Sequence, residues 1–380
     1  MSADLLIRGG LVVLDDGPSR TDVAVAAGKI TFVGQSDVAA HEIVDAAGLV
    51  VLPGVVDNHV HFNEPGRAHW EGWEAGTRGA AAGGVTTVLE MPLNASPPTT
   101  TPEAFDAKLQ AARRSAVVDF GLWGGLLDDN LQHLEALHRR GVVGFKAFLC
   151  HSGIEDFPRV TLPKLAAALR RAAALNALIA IHAERHETVE ALGQTLRDSG
   201  RTDRASWVEA RPVQAEVDAI AEFLRHLGSA RARGHVVHVS SAEGLVAVHD
   251  ARTRGVRISA ETCPHYLFFT TDDFVRVGPA LKCAPPIRDA HNRDQLWEAV
   301  LRGDVDVIGS DHSPCPAADK AKGVDDIWRA WGGVAGVQFT LPVLFTTGVH
   351  QRGLSLEQVA RLTATNPAKL FGLADRKGSI

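Results

Sequence analysis

GVVDNHVHF (54–62) is the first of eight short apolar runs on which the fold turns. The others are GVTTVLEM (84–91), AVVDFGLWG (116–124), GVVGFKAFL (141–149), LIAIHAE (178–184), HVVHVSS (235–241), VRISAE (256–261) and VDVIGSD (305–311). Each is nearly continuous in Val, Ile and Leu, as strands buried on both faces are. Ala/Leu/Arg-rich helical stretches such as LPKLAAALRRAAAL (162–175) separate several of them. Strand–helix alternation predicts an α/β protein with a parallel sheet. From His59 to Asp311 is 252 residues over seven steps. That is roughly 36 per unit and suits a (β/α)8 TIM barrel. A doubly wound open sheet is the competing fold, but no G-x-G-x-x-G opens a helix after the first run.

The texture differs upstream of Pro53-Gly54. LLIRGGLVVLD, DVAVAAGKITFVG and HEIVDAAGLVVL alternate apolar and polar residues and break at Gly or Asp. This predicts hairpins in a small antiparallel sheet, a β-sandwich-like domain over residues 1–52. Residues 53–372 are assigned to the barrel, and 373–380 are expected to lead back to the smaller domain.

The chain has 380 residues, with 39 Lys+Arg against 45 Asp+Glu, a formal charge of −6. Hydrophobic residues make up 45% and charged residues 22%, which suits a folded domain and gives no electrostatic case for nucleic acid. Cysteines stand singly at 150, 263, 283 and 315, so neither a zinc ribbon nor a disulfide framework is read. No run reads as a signal peptide or membrane span, and a cytoplasmic location is expected. The 17 histidines raise the question of metal.

The ends of the apolar runs carry the chemistry. His59 and His61 end the first, and side chains two apart on a strand share a face. An H-x-H alone is also read as a polar strand end; recurrence changes this. Lys146 stands near the end of the fourth run, His182 of the fifth and His238 of the sixth, and Asp311 ends the eighth. All fall at strand C-termini, the face where such barrels build active sites. A lysine and an aspartate inside apolar strands need partners, and a metal centre supplies them. Lys146 has three readings: a neutral amine, a salt-bridged ammonium, or a carbamate formed with CO2 whose two oxygens bridge two metals.

VVLPGVVDNHVHFNEPG, GGVTTVLEMP, GFKAF, HAE, HVSSAEG, ETCPHY, APPIRD and SDHSPC resemble the cyclic amidohydrolases: dihydroorotases, hydantoinases or dihydropyrimidinases, and allantoinases. The resemblance spans essentially the whole chain. It implies that His59 and His61 bind one metal and His182 and His238 another. Lys146, as N6-carboxylysine, bridges them, and Asp311 binds the first metal and shuttles the proton. Zinc is the first expectation, with cobalt, nickel, manganese or iron open.

Dihydroorotases resemble one another in an arginine directly after the metal histidines, where this chain has Asn63. A substrate carboxylate would lose its guanidinium partner there. Hydantoinases carry an oxyanion-donating tyrosine shortly after the lysine, whereas the single tyrosine here is Tyr266. NEPGRAHWEGWEAGTRGAAAGGVTT, EMPLN, SGIEDF, KCAPPIRD and WRAWGGVAGVQ are similar to the allantoinase branch. That implies hydrolysis of the uncharged hydantoin ring of allantoin to allantoate. Asn94, Cys283, Pro285 and Ser313 are candidate substrate contacts, each with a plainer reading as turn or packing residue. Cys150 and Cys315 are weighed as soft ligands and set aside. Trp70, Trp73, Trp328 and Trp331 are read first as packing. His69, His151, His265 and His312 are read as supporting residues, and Gly83-Gly84 and Gly332-Gly333 as turns. Residues 313–331 form a loop over the mouth, either a lid or an ordered surface loop.

A homotetramer acting on a small molecule, with no nucleic-acid or membrane partner, is the expected assembly by resemblance. A non-catalytic scaffold is the alternative class, disfavoured because all six ligand positions are filled. Family members continue past FGLADRKGSI with strands that return to the N-terminal sheet. This implies about 50–70 further residues, the several short strands such a sheet needs.

Overall fold

The computed structural model describes residues 2–35 and 37–380; Met1 and Ser36 lie outside the described residues. The N-terminal part is one mixed sheet. It is built from β1 (Ala3–Leu14), β2 (Gly17–Ala26), β3 (Lys29–Gly34), β4 (Ala40–Asp45) and β5 (Val50–Val51). The order is β3-β2-β1-β4, with β5 also pairing with β1. Two features of the expectation need correction. β4 and β5 run parallel to β1, and only the β1–β2 and β2–β3 pairs are antiparallel. Among the described residues this is also a single sheet, not a sandwich. The cause is the length of β1: twelve residues let β4 and β5 line up successively along the edge that β2 leaves open. Ile30, Phe32, Ile43, Val44 and Leu49 remain exposed on it.

After Pro53 the chain follows the predicted alternation. The strands are β6 (Val55–Val60), β7 (Val85–Glu90), β8 (Asp119–Leu122), β9 (Gly124–Gly125), β10 (Phe145–Phe148), β11 (Leu178–His182), β12 (Arg233–Val236), β13 (Ile258–Thr262) and β14 (Val307–Ile308). They form two parallel sheets, β6-β7-β8 and β9 through β14 in sequence order. Only Trp123 separates β8 from β9, so the predicted third run is one strand with a break. First and last strands also meet: the His61 amide donates to the His312 carbonyl at 2.7 Å, and the Ser310 amide to Asp57 Oδ1 at 3.0 Å.

Alternation within β11 shows how the layers sort. Ile179 and Ile181 join a cluster with Leu165, Leu169 and Phe223 from flanking helices. Leu178 and Ala180 join a second cluster with Trp123, Phe148 and Phe371. His182 continues that second row, so the strand's own period aims its imidazole at the site. The helix Leu162–Leu175 shows why the intervening stretches coil: Pro163 opens it, and Asn176, in the left-handed region (φ 51°), stops it. Residues 373–380 lie against the parallel strands: Leu373 packs on the second cluster and Lys377 pairs with Asp119. No helix among the described residues is long and apolar enough to cross a membrane.

Candidate metal centre and active site

The six residues singled out in the sequence gather at the C-terminal ends of the parallel strands. His59 lies in β6 and His61 directly after it; Asp311 follows β14 by three residues. The Nε2 atoms of His59 and His61 stand 3.2 and 3.4 Å from Asp311 Oδ1. His238, two residues past β12, has its ring centre 5.4 Å from that of His59. Its Nε2 faces Nδ1 of His182 at 3.1 Å. Lys146, in β10, is buried, and its Nζ has no hydrogen-bond partner among the described residues. Phe148, two residues on, stacks against His182 at 4.7 Å between ring centres. His238 (φ 39°) and Asp311 (φ 46°) both adopt left-handed backbone, a conformation non-glycine residues hold only when their surroundings impose it.

Burial governs the charges here. It lowers Lys146 to about 8, although Asp311 and Glu261 oppose the shift. It lowers His61 to about 4, with Asp311 opposing, and depresses His182 and His238 as well. These imidazoles are therefore neutral at pH 7 and keep a lone pair for a cation. Burial would raise Asp311, but His59 and His61 outweigh it and hold the carboxyl at about 2. Neutral nitrogens and an ionised carboxylate together fit divalent cations with nitrogen and oxygen donors. Among the described residues, three groups have ligand atoms within 4.8 Å of one another: His59–His61–Asp311, Cys150–His182–Glu184 and Cys263–His265–Asp311. Burial pushes the Cys150 thiol up to about 12 and Cys263 well above its usual range, so both stay protonated and make poor ligands.

Sequence reasoning missed the carboxylates behind the imidazoles. Glu261, in β13, accepts from His59 Nδ1 at 2.7 Å. Glu184 stands 2.6 Å from His182 Nε2 and is paired with buried Arg211. Burial would raise both carboxyls; the neighbouring His59 and His235 hold Glu261 well below the usual carboxylate range, and Arg211 with His182 holds Glu184 at about 2. The signal for Glu184 was present in HAE, where the i, i+2 spacing carries it along the strand direction of His182. A third buried carboxylate, Glu90 at the end of β7, is paired with Lys108.

The substrate-side candidates are placed as follows. Asn94 (φ 69°) donates from Nδ2 to Ser313 Oγ at 3.4 Å, and its carbonyl accepts from Arg67 at 2.8 Å. The Cys283 carbonyl accepts from Trp207 Nε1 at 2.7 Å, and the Pro285 carbonyl from Tyr266 Oη at 2.8 Å. Tyr266 is thus buried and engaged on the backbone. Asn63 Nδ2 donates to the Pro314 carbonyl at 3.3 Å. His312 is fully engaged: Nε2 meets Glu71 at 2.8 Å and Nδ1 accepts from the Gly336 amide at 3.0 Å. His151 is exposed and accepts from the Gly153 amide. His69 meets Trp70 edge-on, Trp70 meets Trp331 edge-on at 4.7 Å, and Trp73 packs on Phe62. Cys315 is partly buried. Gly84 and Gly333 take positive φ, 80° and 143°, as turns require.

Residues 313–331 are tied down. Lys282 Nζ donates to the Ala330 carbonyl at 2.7 Å, Lys320 Nζ to that of Trp331 at 2.9 Å, and Trp328 Nε1 to that of Arg201 at 2.8 Å. The segment also contains the helical turns Ala317–Ala321 and Ile327–Arg329.

Residues 50–380 match the family described as "Amidohydrolase family". The chain belongs to the amidohydrolase family. Among its relatives are allantoinases. That of Solibacter usitatus is 47% identical over 378 residues, covering 100% of this chain and 82% of the relative. That of Deinococcus radiodurans is 44% identical over 99% of this chain and 84% of its own length. Solved structures agree. L-hydantoinase (dihydropyrimidinase) from Arthrobacter aurescens superposes with a TM-score of 0.96 at 37% identity, covering 99% of this chain and 84% of that one. Dihydropyrimidinase from Brevibacillus agri gives 0.90 at 30% identity, covering 99% and 83%.

Proposed function

We propose that this protein hydrolyses the ring amide of allantoin to allantoate at a centre of two divalent cations. The observation that carries the reading is 42–47% identity to allantoinases along essentially the whole chain. His59, His61 and Asp311 would hold one cation and His182 and His238 the other, with Lys146, as carboxylysine, between them. Zinc is the first choice of metal. When bound, the cations supply ionised water at neutral pH and polarise the ring carbonyl. Asp311, ionised and within 3.2 and 3.4 Å of two imidazoles, takes the proton of the attacking water and returns it to the departing ring nitrogen. Asn94 and Ser313, already in contact, present amide and hydroxyl groups to an uncharged ring with a ureido arm, and the 283–285 backbone lines its other side. The amine of Lys146, unpartnered and lowered to about 8, is open to CO2 in its neutral form.

The reading includes a closed (β/α)8 barrel, a cytoplasmic location and a tetramer. The His61–His312 and Asp57–Ser310 contacts support closure. A hydantoinase-type activity is the second reading, favoured by the superposition on the Arthrobacter aurescens L-hydantoinase. One experiment separates them. Protein with its metal quantified is assayed side by side with allantoin, hydantoin, dihydrouracil and dihydroorotate. The highest kcat/KM on allantoin with about two metals per chain supports the proposal; a preference for hydantoin or dihydrouracil selects the alternative, and no metal with no turnover selects a scaffold. Light scattering gives the assembly state.

A further inference from the structure

Glu261 faces nitrogen groups on both carboxylate oxygens. Oε1 accepts from His59 Nδ1 at 2.7 Å and from the His238 amide at 3.0 Å. Oε2 accepts from Asn58 Nδ2 and stands 3.5 Å from His235 Nε2. An ionised carboxylate only accepts, so the His59 contact requires its proton on Nδ1. That leaves Nε2 as the ring nitrogen that faces Asp311. The second contact on Oε1 holds the amide of the residue whose left-handed φ turns the His238 ring toward His182.

The surroundings are shaped around this carboxylate. The β6–β7 register slips between Asp57 and Val60, and the bulge lets two consecutive residues, Asn58 and His59, both reach Glu261. Gly309 leaves it room: a Cβ there would lie 3.1 Å from Glu261 Cδ and from His59 Cβ. Glu184, by contrast, touches the imidazole of His182 alone among the six.

We infer that Glu261 is a positioning residue that selects the His59 tautomer and fixes the His238 backbone, so that one carboxylate governs cation retention in both halves of the centre. This rests on the binuclear reading above, but its first test does not. In metal-free wild-type protein labelled with 15N-histidine, NMR should show the His59 Nδ1 proton retained throughout the pH range in which the protein is folded; a bare Nδ1 overturns the inference whether or not the protein binds metal. The second test is E261Q. Glutamine must turn its NH2 toward one pair of nitrogens, so competition with a chelator should show both cations held about 10–100-fold more weakly. In E184Q the loss should fall on one cation. An E261Q protein that retains both cations like wild type, or sheds only one, refutes the inference. If E261Q does not fold, the tautomer measurement decides.

Discussion

Replacing Lys108 by methionine removes a charge from beneath the site while keeping most of the side chain's bulk. Lys108 lies on the buried face of the helix Pro102–Ser115, with Nζ 2.5 Å from Glu90 Oε2 and 2.7 Å from the Met91 carbonyl. Both partners are 0% exposed. Burial already pushes Glu90 up to about 7 with Lys108 present to oppose it. Breaking such a pair from one side costs about 3–5 kcal/mol, against about 0–1 kcal/mol for an exposed pair like Arg78–Glu74. The sign with pH follows from the raised carboxyl. Between its ordinary value near 4.5 and its folded value of about 7, folded protein holds a proton that unfolded protein lacks. Stability is therefore lost as pH rises through that window, and without Lys108 the window extends upward. The K108M deficit should be largest near pH 8 and shrink toward pH 5. Urea unfolding followed by tryptophan fluorescence at both pH values measures it, and the E90Q/K108M double variant should recover most of the loss at pH 8. A deficit below about 1 kcal/mol, or one indifferent to pH, would show that the pair is not the buried charge described. Function should follow, because Glu90 Oε1 also accepts from the amide of Phe62 at 3.3 Å, next to His61.

Three further outcomes are expected. Asp311→Asn should keep the fold by circular dichroism and lower kcat by about 10²–10⁴-fold; turnover within tenfold of wild type in metal-loaded protein removes Asp311 from the proton path. With Lys146 at about 8, about a tenth of its amine is neutral at pH 7, against about 0.03% for an ordinary lysine. Reactivation of chelator-stripped protein by zinc should then need bicarbonate and speed up about tenfold per pH unit from 6 to near 8 before levelling; recovery indifferent to bicarbonate refutes the carbamate. Gly309→Ala crowds Glu261 and His59 at 3.1 Å, so metal should dissociate faster from a protein of normal secondary structure, and an unchanged rate would mean the neighbours yield freely.

The parallel strands were legible because burial on both faces writes continuous Val/Ile/Leu runs, and the polar residues interrupting those runs stood out against them. His59, His61, Lys146, His182, His238 and Asp311 were singled out in this way. Glu184 was passed over although the i, i+2 spacing in HAE pointed to it, and Glu261 in ISAET carries no such signature because the donors it faces come from strands far away in the chain. The small sheet was misjudged for a related reason. Alternation in HEIVD marks a strand but says nothing about which edge of β1 it takes or in which direction. The 313–331 loop offered two readings because its tethers, Lys282 and Lys320, donate to main-chain carbonyls, which no composition rule reveals.

The seam between the first and last strands has a temporal consequence. His59 meets Asp311 only once the chain has grown 252 residues past it, and Asp57 takes the Ser310 amide across a similar gap. On a ribosome, the histidine pair emerges early and waits through most of translation without its carboxylate. Contacts of such sequence separation form late and slowly. A nascent chain halted before Ser310 should therefore bind divalent cations loosely at best, and maturation of the enzyme would be gated by release of β14 and the residues after it.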